Sequence, residues 1–143
     1  MSTLLDTNVL SELLRVRPDP GVLDWFAQQP AGTLFVSTVT QAEMLLGVRL
    51  LPPGKRRTQL EQAVDTMFAE DFGDRVLPFG RAAASAYAGI VASRRGIGRP
   101  ISQFDAQIAA IALSSGTGLA TRNVADFEGC GLAVSNPWDS RPG

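Results

Sequence analysis

Short apolar segments alternate with helical stretches along this chain, and Pro and Gly mark the joints; no other feature constrains the fold as strongly. Thr3-Leu4-Leu5 is apolar and runs straight into Asp6-Thr7-Asn8, the pattern of a strand ending in a turn. A helical pattern starts near Val9, with Leu10, Leu13 and Leu14, and Pro18, Pro20 and Gly21 break it. Residues 22–29 carry Leu23, Trp25 and Phe26 and stop before Pro30. Residues 33–37 read as a buried strand, and 38–51 as a helix with Met44, Leu45, Val48 and Leu51 on one side. Pro52-Pro53-Gly54 ends it. A second long helical stretch covers 55–72, a short strand 75–79, an alanine-rich helix 80–95 and a further helix 102–114, closed by Gly116 and Gly118. Strands are expected at 119–121 and 132–134. Such alternation indicates an α/β fold with a largely parallel central sheet.

The 143 residues suit one domain, and no repeat, low-complexity tract or linker divides them, so a single domain over 1–143 is expected. With 45% hydrophobic and 19% charged residues the composition is that of a globular chain. The lone cysteine, Cys130, excludes an intramolecular disulfide and suits a reducing compartment. No basic segment and long apolar stretch precede Asp6 as in a secretory signal, and no apolar run approaches the ~20 residues of a membrane helix. A cytoplasmic location without membrane contact is expected.

There is no histidine. That removes Ser–His–Asp and Cys–His nucleophiles, histidine-held zinc and a histidine general base together. Hydrolytic chemistry here must use carboxylates, hydroxyls, lysine, arginine, or a metal held by oxygen. Four acids fall at suggestive places. Asp6 follows the first strand, Glu43 lies early in the helix after the second, Asp105 is in the first turn of its helix, and Asp126 comes five residues after Thr121. Ligands of open parallel sheets bind outside the carboxyl ends of strands, where such connections converge. Any one of these acids also suits plain capping of helix N–H groups.

Asp105 differs. Ile108, Ala109 and Ala112 follow it at i+3, i+4 and i+7, so it sits in the apolar stripe, with Phe104 and Ile111 at its flanks. A core-facing carboxylate needs a partner, either a cation such as Arg122 or a metal. Glu43 lies only at the edge of its helix's stripe. Carboxylates gathered in one cleft repel, and a divalent cation removes the conflict. Oxygen ligands without histidine or thiolate favour Mg²⁺ or Mn²⁺ over zinc. Such an ion activates water and neutralises charge on a phosphoryl group. Thr7, Asn8, Thr121 and Asn123 adjoin the acids and suit either an added polar role or ordinary turn and cap duties.

Four motifs in order resemble those of the PIN-domain ribonucleases: Leu4-Leu5-Asp6-Thr7-Asn8, residues 38–47 with Glu43, Asp105-Ala106-Gln107-Ile108-Ala109-Ala110, and Thr121-Arg122-Asn123-Val124-Ala125-Asp126-Phe127. The likeness is strongest to the VapC-type and FitB-like toxins of bacterial toxin–antitoxin pairs, spans nearly the whole chain, and includes Asn136-Pro137-Trp138. It implies an α/β/α sandwich and Mg²⁺- or Mn²⁺-dependent cleavage of RNA. It also implies an acidic quartet of Asp6, Glu43, Asp105 and Asp126, with Asp6 and Asp105 as direct metal ligands. A homodimer, inhibition by a cognate antitoxin, and DNA contact only through that antitoxin are further implications. The net charge of −1 argues against nucleic-acid binding by charge alone, but four of the negative charges belong to the quartet and the remainder of the chain carries +3.

Other signals are weaker. Pro53-Gly54-Lys55-Arg56 lacks the Ser or Thr and the preceding strand of a phosphate-binding loop, and Gly96-Ile97-Gly98 follows a helix and runs into Pro100. Lys55-Arg56-Arg57, and Arg94-Arg95 with Arg99, fit solvated surface better than RNA-phosphate contacts. A receiver or aspartate-nucleophile phosphatase lacks its distal lysine or its second aspartate, since position 8 is Asn8 and Lys55 is the only lysine. The alternative that remains is a non-catalytic binding module of the same fold.

Overall fold

The computed structural model describes residues 1–139. Five strands form one parallel sheet: β1 (Thr3–Leu5), β2 (Leu34–Ser37), β3 (Val76–Leu77), β4 (Gly118–Ala120) and β5 (Val134–Ser135), in the order β3-β2-β1-β4-β5. Leu4 pairs with Phe35 on one side and Leu119 on the other. The helices are α1 (Thr7–Leu13), α2 (Pro20–Gln28), α3 (Thr38–Arg49), α4 (Lys55–Thr66), α5 (Arg81–Gly96) and α6 (Gln103–Ser115).

The sheet is covered on both faces, so its strands are apolar throughout and successive residues serve opposite cores. Leu5, Val36 and Ala120 face a cluster with Val9, Leu10, Trp25, Met44 and Val64 from α1–α4. Leu4 and Leu119 face the other, with Ala83 and Ile90 of α5 and Ile108 to Ala112 of α6. The chain winds outward from β1 to β3 and then crosses back to β4, beside β1. Strand order therefore reverses between β1 and β4, and a crevice opens at their carboxyl ends.

Several boundaries differ from expectation. Pro20 opens α2 instead of breaking a helix: it occupies the first turn, and the Asp19 carboxylate accepts the Gly21 and Val22 N–H groups at 2.8 and 3.3 Å. The stretch at 55–72 is α-helical only to Thr66 and continues as a π-helical turn over Met67–Asp71 that buries Met67 and Phe68. Gly116 alone caps α6, in the left-handed region at φ 70°. Gly118 is already strand, where a Cβ would come within 3.1 Å of the Ala133 carbonyl oxygen. The last strand is Val134–Ser135, and Leu132 packs half-buried against the second cluster.

Leu119 is fully buried on β4, between β1 and β5. Leu119→Ala should lower unfolding free energy by about 3 kcal/mol, read as a lower urea midpoint at unchanged slope.

Candidate active site

Asp6 leaves the end of β1 exactly where the sheet order reverses, and it is buried. Its N–H donates to the Ala120 carbonyl at 2.9 Å, which extends the β1–β4 ladder by one residue. Oδ1 accepts the Thr7 N–H at 2.7 Å, so Asp6 does cap α1. Oδ2 accepts the hydroxyl of Thr121, fully buried just past β4, at 2.8 Å. One carboxylate thus joins the two strands that flank the crevice. The Thr121 oxygen also accepts the Asn123 N–H at 3.1 Å and an Asn8 side-chain N–H at 3.4 Å, while Asn8 Oδ1 accepts the Arg122 N–H at 3.3 Å. Thr121 orients the carboxylate and Asn8 holds the Thr121 hydroxyl, whereas Asn123 enters only through its backbone N–H, as a turn residue does.

Glu43 reaches the same place from α3. The Thr7 hydroxyl donates to its Oε1 at 2.9 Å. Thr7 has one hydroxyl hydrogen, so the buried Thr40 hydroxyl, 3.0 Å away, donates to Thr7. The Ser37 hydroxyl accepts the Thr40 N–H at 3.1 Å and caps α3. Neither Ser37 nor Thr40 stood out in the sequence, because a hydroxyl at a strand-to-helix junction looks like any cap.

Asp105 is half-buried rather than core-facing. Ala106 is the first buried residue of α6 and the unbroken buried run starts at Ile108, while Phe104, expected at the flank of the stripe, is 54% exposed. Ser102 caps α6 by accepting the Asp105 N–H at 3.2 Å. Arg122 is not the partner of Asp105: its guanidinium lies 5.0 Å from the Trp138 ring centroid. The cation that acts on Asp105 is Arg94. Asp126 is exposed on a 3-10 turn (Val124–Phe127), and shares a cavity of about 170 Å³ with Asp105, Arg94 and Ser102. Its charge acts on Asp105 but is not among those that act on Asp6.

Arg94 is the residue that charge patterning misread. Expected as solvated surface, it is 4% exposed, and its guanidinium donates to the carbonyls of Arg99, Asp126 and Glu128. Its i−4 neighbour, Ile90, lies on the buried side of α5, which is the one signal of burial in the sequence.

Electrostatics tie the acids together. Burial pushes Asp6 from its ordinary 3.8 up to about 6; the bonds from Thr121 and Thr7 oppose the rise, and the charges of Asp105 and Glu43 add to it. Asp105 is also raised, first by burial and then by Asp126, against the pull of Ser102 and Arg94. The cleft holds more negative charge than its own side chains balance. Its donors are hard oxygens, which suit Mg²⁺ or Mn²⁺. Among the described residues no three acidic, histidine or cysteine side chains close around one point. A cation here would keep part of its water shell, as Mg²⁺ does with one or two carboxylates.

The model of the PIN domain matches residues 3–128, and this chain belongs to the PIN domain family. It is 44% identical over 137 residues to the plasmid stability protein StbB of Pseudomonas syringae pv. tomato, covering 96% of this chain and 99% of that protein. It is 40% identical over 136 residues to the VapC ribonuclease Y4jK of Sinorhizobium fredii, covering 95% and 97%. Toxin FitB of Neisseria gonorrhoeae is 37% identical over 135 residues, covering 94% and 97%. In three dimensions the chain is similar to one in the structure of FitAB bound to an IR36 DNA fragment, with a TM-score of 0.91, 36% identity and 98% of each chain covered. No helix among the described residues is long and apolar enough to cross a membrane.

Because the folded state binds the Asp6 proton more tightly than the unfolded state, stability falls as pH rises from about 4 to 6. The rise to about 6 corresponds to at most about 3 kcal/mol at neutral pH. Metal-free Asp6→Asn should therefore melt up to about 9 °C above wild type at pH 7.5, with the gap narrowing as pH falls from about 6 to about 4 in a calorimetric series. A gap that does not vary with pH would contradict this origin.

Proposed function

We propose that this chain is the toxin of a type II toxin–antitoxin pair and a metal-dependent endoribonuclease that hydrolyses RNA phosphodiester bonds. The observation that carries the reading is the buried Asp6 carboxylate at the β1–β4 reversal, which feels both Glu43 and Asp105. Relatives named as a VapC ribonuclease and as toxin FitB support it. Asp6 and Asp105 would hold Mg²⁺ or Mn²⁺, with Glu43 and Asp126 completing the site through water or a second ion. When bound, the cation lowers the pKa of a water and neutralises charge that develops on the phosphoryl oxygens.

The chain's own part is orientation. Thr7 and Thr121 lock both oxygens of Asp6, and the Thr7 hydroxyl fixes Glu43 in the same crevice. Oriented carboxylates leave little reorganisation for the moment of reaction. Water attacks phosphorus in line and gives up a proton as the new P–O bond forms, and the bond to the leaving sugar oxygen breaks as that oxygen takes a proton from solvent. The free oxygen of Glu43 is suited to orient that water. A cognate antitoxin would cover the acidic cleft and bring the pair to DNA, the toxin forming a homodimer, as one cytoplasmic domain.

Purified protein should cut a mixed cellular RNA pool with Mg²⁺ or Mn²⁺, and Asp6→Asn or Asp105→Asn should lower the rate at least about 100-fold. Unchanged cutting in both variants would place the activity elsewhere. A wild-type protein that binds no Mn²⁺ and cuts nothing would point to the non-catalytic binding module.

A further inference from the structure

The last turn of α5 carries a charge that the acidic site does not hold by direct contact. Arg94 donates from Nε to the Arg99 carbonyl at 2.6 Å, and from Nη1 to the carbonyls of Asp126 and Glu128 at 2.8 Å each. Cys130 Sγ lies 3.7 Å from Nη1. A buried guanidinium is costly unless its donors are satisfied, and among the described residues no carboxylate forms an ion pair with this one.

The three carbonyls belong to two separate segments. Arg99 precedes α6, whose first turn presents Asp105, whereas Asp126 and Glu128 belong to the turn that presents Asp126 itself. Both segments contribute to the lining of one cavity, Pro100 to Ser102 with Asp105 from the first and Asp126 from the second. A surface ion pair of Arg99 with Glu128, at 3.0 Å, joins them again from outside, but both its side chains are about half exposed and such a pair is weak. The planar fork of an arginine holds several acceptors in a fixed geometry, which a lysine, as a point donor, does not reproduce.

We propose that Arg94 is a positioning residue for the acidic cleft: by gripping the carbonyls of Arg99, Asp126 and Glu128 together, it sets how the Asp126 carboxylate stands against Asp105. The inference rests on the ribonuclease reading. It assigns to a buried arginine outside the quartet the geometry of the quartet's outer half.

The test is a double-mutant cycle on RNA cleavage with Arg94→Lys, Asp126→Asn and the double variant, following kcat and KM separately. In the wild-type background Arg94→Lys should lower kcat at least about 30-fold and move KM less than about threefold. In the Asp126→Asn background the same substitution should change kcat less than about threefold, because the carboxylate it positions is gone. Equal losses in the two backgrounds, or wild-type kcat in Arg94→Lys, would overturn the proposal. If Arg94→Lys does not fold, Gly129→Ala takes its place. It strains the same turn at a left-handed glycine, φ 76°, beside Arg94 Cδ, and must show the same dependence on Asp126. If the wild-type protein cuts no RNA, the ribonuclease reading fails by itself. The grip is then read from amide hydrogen exchange: in the Arg94→Lys protein residues 124–130 should exchange at least about tenfold faster, with α3 unchanged. Unchanged exchange there would overturn the grip.

Discussion

The hydrogen bond from the Thr121 hydroxyl to Asp6 Oδ2 ties the site to the sheet. It spans 115 positions of sequence and links the ends of β1 and β4, the two strands between which strand order reverses. Both groups are buried, so neither can turn to water without cost. The other Asp6 oxygen caps α1, and the first residue of α1, Thr7, holds Glu43. Helix start, sheet centre and the reach of α3 are therefore set by one carboxylate and two threonine hydroxyls.

The same arrangement concentrates negative charge. Burial alone pushes Asp6 upward, and two neighbouring carboxylates push further. A fold selected only for stability would place an apolar or neutral side chain there. Retaining an acid at the mouth of a parallel sheet makes sense where a cation or a developing positive charge is to be met. The cation built into the protein, Arg94, lies behind the outer acids and spends its donors on backbone carbonyls, so its field reaches Asp105 without closing the cleft.

Much of this was legible in the order of residues. Alternating apolar and helical segments are enough to predict a parallel sheet, since strands buried on both faces must be apolar throughout and the connections between them must be long. Asp6 was legible as a strand-end acid, because Leu4-Leu5 stops at it. Glu43 was not legible from periodicity; the likeness to a family singled it out, and the Thr7 hydroxyl now accounts for its place. Asp105 was misjudged in degree, since helical periodicity gives the direction of a side chain but not where along the helix cover begins. Arg94 was misjudged in kind. Adjacent arginines look like surface, and only the return of the 126–130 segment over α5 supplies the carbonyls that make burial of the first one possible.

Local chemistry is what the sequence determined by itself: the order and type of most elements, which segments carry acids, and that histidine chemistry is absent. These follow from interactions between residues close in the chain, whose geometry is set by helix and strand periods. Tertiary structure alone decided which acids feel one another, that Arg94 rather than Arg122 faces Asp105, and that Asp126 stands at the rim. Those depend on contacts that close over 32 to 115 residues of chain, as between Arg94 and Asp126, Thr7 and Glu43, and Asp6 and Thr121. Electrostatic energy and burial are functions of separation in space, and separation in space is not encoded in any local period.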